Sequence, residues 1–157
     1  MIQRVQTIFL FVLVVCMIST IFVPTWVRLS GEADVLAQMD TYELITYNET
    51  GEPSTTNVIY LTVLSVLSAL LGLASIFSYK NRMTQVKLNM VNILLIGAVI
   101  IINAYFFATY QTLGGEAGKS QFSFGFFLPF VALLMNNMAN RFIKRDEQLV
   151  KSVDRLR

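Results

Sequence analysis

The sequence predicts an all-α integral membrane protein: an up-down bundle of four transmembrane helices, with a short outer loop holding a candidate hairpin and a basic amphipathic helix at the C-terminus. Three observations predict it. Four apolar runs approach or reach the roughly 20 residues that a helix rising 1.5 Å per residue needs to cross a hydrocarbon core of about 30 Å. None of the four contains Asp, Glu, Lys or Arg, so every charge falls between the runs or at the ends. The 157 residues are 55% hydrophobic and 14% charged, against about 25% charged in soluble domains. That balance excludes a disordered chain or an ordinary water-soluble domain.

The first run covers residues 5–23. It is too long for the apolar region of a signal peptide and no small-residue cleavage site follows, so a membrane anchor is expected. Pro24 and Trp26 then read as a helix end with an interfacial anchor. Residues 28–57 form the sizeable outer loop. Within it, residues 40–47 read as a candidate strand, Glu49, Gly51, Glu52 and Pro53 as a turn, and residues 54–58 as a second short strand. Asn48-Glu49-Thr50 matches a glycosylation sequon, which would carry no weight if the protein is bacterial.

The second run covers 59–79, the third 88–109 and the fourth 122–139. The loop 80–87 and the Gly-rich loop 111–121 are short, which makes sequence neighbours antiparallel. The ends and the loop 80–87 hold Arg4, Lys80, Arg82, Lys87, Arg141, Lys144, Arg145, Lys151, Arg155 and Arg157, whereas the other two loops hold only Arg28 and Lys119. Lys and Arg gather on the cytoplasmic side, so both termini are expected there. The outer loops carry the acids Glu32, Asp34, Asp40, Glu43, Glu49, Glu52 and Glu116.

Residues 141–157 form a tail with six cations and three anions. On a helical wheel Phe142, Ile143, Leu149, Val150, Val153 and Leu156 share one arc, and Arg141, Lys144, Arg145, Lys151 and Arg155 lie opposite. With Arg157 and Asp146 these cations are the expected contacts to lipid or to a partner. Asp146 falls inside the apolar arc, where a carboxylate calls for a cation such as Arg4, Arg82 or Lys87.

Inside the runs, Asn92 and Asn103 share one face of the third helix, with Asn89 near the same stripe. Asn136, Asn137 and Asn140 end the fourth. These are expected to make interhelical hydrogen bonds, since proton and ion pathways normally need an ionisable group. Ser65, Ser68, Ala69, Gly72 and Ser75 line the second helix at spacings of three and four, a small-residue face for close helix packing. Pro129 removes one backbone bond in the fourth helix and predicts a kink.

Chemistry is sparse. There is no His and a single Cys, Cys16, so neither the commonest general base nor an intrachain disulfide is present. Gly114 to Ser120 resembles the end of a phosphate-binding loop only superficially, since its spacing is wrong. No catalytic, cofactor or metal set is read, and nucleic acid is not an expected partner.

The opening Met1-Ile2-Gln3-Arg4-Val5-Gln6-Thr7 and the closing Leu128-Pro129-Phe130, then Ala139-Asn140-Arg141-Phe142-Ile143-Lys144-Arg145-Asp146-Glu147 through Leu156-Arg157, carry a recognisable pattern. The chain resembles a family of small four-span inner-membrane proteins of Bacteroidota catalogued as a domain of unknown function. The resemblance implies a bacterial inner membrane and a periplasmic outer side, and no activity. The expectation is a non-enzymatic accessory or scaffolding subunit of a larger inner-membrane assembly, with protein export machinery first among hosts. Its partners would be membrane lipids and other integral membrane proteins. The alternative is a small homo-oligomeric transporter or channel.

Overall fold

The computed structural model describes residues 3–30, 34–47, 52–79, 81–111 and 119–154, with the side chains of 3, 4 and 149–154 outside that description. In chain order its elements are α1 (Gln3–Phe22), β1 (Trp26–Leu29), β2 (Val35–Met39), β3 (Glu43–Tyr47), β4 (Pro53–Asn57), α2 (Ile59–Phe77), α3 (Arg82–Tyr110), β5 (Lys119–Phe122) and α4 (Phe124–Asp154). All four helices are long and apolar enough to cross a membrane. Each packs on two others, α1 on α2 and α4, and α3 on α2 and α4. The ring is closed around Leu10, Leu13, Met17, Leu61, Ile96, Val99 and Ala132, all fully buried. Outward faces stay apolar, as with Ile8, Phe11, Phe22, Leu94 and Ile101, which suits a lipid surround.

The all-α expectation is corrected by a five-stranded antiparallel sheet, in the order β4-β3-β2-β1-β5, at one end of the bundle. Two of its strands, β3 and β4, fall where a hairpin was expected. Of the others, β1 and β5 have only 4 residues each, and β5 finds its partner β1 across two intervening helices. Trp26 is therefore no interfacial anchor. It lies in β1, 1% exposed, with its ring edge-on to Phe107 of α3 at 6.0 Å. Phe122 belongs to β5 rather than to the fourth helix, and its ring sits 4.4 Å from Phe107. The Gly-rich segment 112–118, the sequon and most of the false phosphate loop lie outside the described residues.

The sheet is seated on the helix ends by side-chain bonds. Thr41, in the β2–β3 turn, donates to the Thr20 carbonyl of α1 at 2.6 Å, and Thr62 of α2 donates to the Thr41 carbonyl at 2.9 Å. At the opposite end, α3 starts at Arg82, earlier than expected. Asn81 caps it by accepting from the Thr84 N–H, and a capped helix start takes up Gln85, Val86 and Lys87. α4 runs through Pro129 without a break and continues as the tail. The carbonyl left without its N–H is that of Gly125, near the helix start.

Glycine spacing gives a ranking of packing strain. A Cβ on Gly125 would stand 2.5 Å from the Val23 carbonyl and 2.6 Å from that of Pro24, both backbone atoms. A Cβ on Gly72 would meet side-chain ends, Val14 Cγ2 at 2.8 Å and Leu13 Cδ2 at 3.0 Å, and one on Gly97 would meet nothing within 4 Å. Overpacking costs about 1–3 kcal/mol when neighbours must move. Thermal unfolding in detergent should rank Gly125→Ala as most damaging, Gly72→Ala as intermediate, and Gly97→Ala as neutral or stabilising. Equal losses at Gly97 and Gly125 would contradict this packing.

Candidate functional site

The apolar bundle encloses a seam of polar side chains, contributed by all four helices. Nearest the sheet is Asn103, 3% exposed, whose amide donates to the Val99 carbonyl of its own helix at 2.9 Å. Deeper, Ser68 of α2 donates to Asn92 of α3 at 2.6 Å. Next, Asn89 of α3 donates to Asn140 of α4 at 3.0 Å, while Asn136 of α4 donates to the Asn89 carbonyl at 2.9 Å. Gln85 of α3 then donates to the Ser75 carbonyl of α2 at 2.7 Å. Closest to the tail end, Gln6 of α1 donates to the Asp146 carboxylate of α4 at 2.6 Å.

The spacing that builds this seam is helical. Gln85, Asn89 and Asn92 stand four and three apart on α3, and Gln6 heads the buried stripe Leu10, Leu13 and Met17 on α1. Gln6 and Gln85 were not singled out in the sequence, although both continue these stripes. The small face of α2 is turned to its own bundle: Ser65, Ser68 and Ser75 are fully buried, and Gly72 lies against Leu13 and Val14 with Asn92 near. Asn137, in contrast, is exposed and bonds within its own helix to Leu133.

Several buried atoms of the seam have no partner: Ser65 Oγ, Ser75 Oγ, Asn89 Oδ1, Asn92 Nδ2, Asn103 Oδ1 and Asn136 Oδ1. Donors and acceptors both occur among them, so the seam has no net preference for a cation or an anion. Its chemistry is that of uncharged hydrogen bonding, with the Asp146 carboxylate at one end.

At the tail end α4 shows two faces. Ile143 is fully buried and Asp146 is 6% exposed, whereas Arg141, Lys144 and Arg145 are exposed. Phe142 stacks on Phe9 of α1, with centroids 5.4 Å apart. Among the described residues the apolar arc lies on the bundle at Phe142 and Ile143, and Asp146 answers an amide, the side chain of Arg4 being outside that description. Lys87 points outward, and Arg82 keeps one buried guanidinium nitrogen without a partner. Lys151 continues α4 with its side chain outside the described residues, which also exclude Arg155 and Arg157. A groove of about 320 Å³ between α3 and α4 is lined by Met83, Val86, Lys144, Glu147 and Gln148.

Four such helices around a neutral polar seam, with a sheet on one end and a cationic helix at the other, define a small multi-pass membrane protein. The chain belongs to the family described as a domain of unknown function (DUF4293), which matches residues 2–156. No curated protein matches the chain.

The seam makes different predictions for its asparagines. Asn89→Leu leaves Asn140 without its donor, and an orphaned buried group outweighs the average interhelical bond of about 0.6 kcal/mol. A loss of about 1–2 kcal/mol is expected in detergent unfolding. Asn103→Leu deprives only a carbonyl that already serves its own helix, and it removes an unpartnered oxygen. Its stability should stay level or rise. A larger loss at position 103 than at 89 would overturn this account of the seam.

Proposed function

We propose that the protein is a non-enzymatic accessory or scaffolding subunit of a larger assembly in a bacterial inner membrane, with both termini in the cytoplasm. The observation that carries this reading is the division of its polar groups. Ser68, Asn89, Asn92, Asn136 and Asn140 are turned inward and bond to one another, while the exposed cations of the tail, Arg141, Lys144 and Arg145, are turned out. What the molecule offers its surroundings is then apolar helix faces and one cationic stripe. Each such cation beside an anionic leaflet is worth about 1 kcal/mol. Protein export machinery remains the first class of host we would test.

A channel built between copies would need polar residues on outward faces, where Asn137 is bonded to its own helix. That favours the subunit reading over the homo-oligomeric transporter. The Asp146–Gln6 pair separates two kinds of tail mutation. Asp146→Lys would strike the bundle itself, whereas Lys144→Glu with Arg145→Glu reverses two exposed charges and spares the core.

Purification from native membranes in mild detergent, followed by intact-complex mass spectrometry, tests the proposal. A stoichiometric set of other membrane proteins is expected, lost in the double Glu variant without a change in unfolding temperature. A pure homo-oligomer that conducts ions in vesicles would overturn it. Orientation is tested separately, with Cys16 replaced by Ala. A cysteine at Thr56 should react with an impermeant thiol reagent in intact spheroplasts and one at Gln148 should not; the reverse would invert the topology.

A further inference from the structure

The sheet has two edge strands, β5 and β4; among the described residues nothing pairs with the outer side of β4, and its hydrogen-bond parity shows what it presents. Val58 N–H donates to the Tyr42 carbonyl at 3.0 Å. In the same register Thr56 faces Leu44 and Ser54 faces Thr46. Antiparallel pairs alternate between bonded and non-bonded, so Ser54 and Thr56 spend their backbone groups on β3. Thr55 and Asn57 turn N–H and C=O outward, and Pro53 adds a carbonyl without an N–H. All five residues of β4 are exposed, and the strand Pro-Ser-Thr-Thr-Asn has none of the charged side chains that commonly guard an edge.

Beside this edge lies a pocket of about 260 Å³ lined by Tyr42, Glu43, Thr55, Asn57 and Ile59. Glu43 pairs across from Asn57, so its carboxylate shares the face onto which Thr55 and Asn57 project. The field there is negative: Asp40, together with burial and Glu43, pushes the Tyr42 phenol above its ordinary value.

A second copy does not fit this edge. Antiparallel strands joined in one sheet are related by a two-fold axis perpendicular to that sheet. β1, β4 and β5 each have one end at a helix, and the buried residues Trp26, Met39 and Leu44 lie in the row nearest the bundle. The strands therefore lead away from the bundle, and such an axis would turn the second copy upside down relative to its membrane. Copies in one membrane share an orientation, so β4 cannot pair antiparallel with itself.

We propose that the β4 edge is a docking site for an extended segment of a different polypeptide on the sheet side of the membrane, which adds as a sixth strand against Thr55 and Asn57 and sets a basic side chain over Glu43. Main-chain bonds give such a complex its affinity and the alternate side chains its selectivity. This surface is at the opposite end of the bundle from the tail, so its test does not depend on the subunit reading.

The experiment pans the full-length protein in nanodiscs against a display library of short random peptides. Enriched peptides are expected to carry Lys or Arg among β-branched residues. Their affinity should fall about tenfold with Thr55→Pro, which removes an outward N–H and no bond to β3. With Glu43→Gln their binding should lose much of its salt dependence. On the unaltered protein they should slow amide exchange at Thr55 and Asn57, and leave Ser54 and Thr56 unchanged. A selection that returns no peptide, or peptides that leave Thr55 and Asn57 exchanging freely, overturns the proposal even where Thr55→Pro fails to fold. Protection by peptides without a basic residue overturns the role of Glu43.

Discussion

The closure of α4 on α1 is the contact on which the rest of the molecule depends. At the sheet end, α4 approaches so closely that Gly125 lies against the carbonyls of Val23 and Pro24. Only a residue without a Cβ permits that approach. The same few residues start the sheet: Ser123, just before α4, donates to the Thr25 carbonyl just before β1 at 3.0 Å. From there β1 and β5 pair in register, Trp26 with Phe122 and Leu29 with Lys119. At the other end the Phe9–Phe142 stack and the Gln6–Asp146 bond hold the same two helices together. The first and last helices are thus fixed to each other at both ends, and the ring closes around α2 and α3.

Between these ends, polar groups settle what apolar packing leaves open. Lipid tails are as apolar as leucine, so burial alone does not drive one helix onto another inside a membrane. Close approach and hydrogen bonds then decide the register. Gly72 brings α2 against α1, and Ser68 with Asn92 joins α2 to α3. Asn89 bonds α4 twice, through its side chain to Asn140 and through its carbonyl to Asn136. Sliding α4 by one residue along α3 would break both bonds together. The Ser and Asn members of the seam are neutral, so they can specify register without the larger desolvation cost of a buried charge.

The helices were legible in the sequence because an apolar run of about 20 residues is a local signal. Asp146 was legible in part: its place on the wheel set a carboxylate in the apolar arc of the tail, with a cation expected against it. Its partner was not, since Gln6 stands 140 residues away and an amide carries no charge to suggest the match. The strands fell on the other side of the same divide. β3 has β-branched Ile45 and Thr46 next to a turn signal and could be read. Trp26 to Leu29 is too short for alternation to show, and directly after an apolar helix its Trp imitates an interfacial anchor. Arg28 is the instructive case. It read as one of two outer cations, yet it is buried in β1 and donates to Ser120 Oγ at 2.8 Å, a residue 92 positions on.

The lengths of the helices join the two ends of the molecule mechanically. α3 has 29 residues and α4 has 31, both well beyond the roughly 20 that a hydrocarbon core requires. α3 gains its added turns at Arg82, at the tail end, and reaches the sheet at its other end, where Phe107 supports Trp26 and Phe122. α4 uses its own at the tail, where Ile143 and Asp146 keep it on the bundle while Lys144 and Arg145 face out. Neither end is a separate domain on a linker; each is the continuation of a helix that also carries the seam. A load applied to the cationic stripe therefore acts on the helix that bears Asn136 and Asn140, and through Asn89 on the helix that supports the sheet. Hydrogen bonds that fix register in the interior are also the ones through which the tail and the sheet would have to move together.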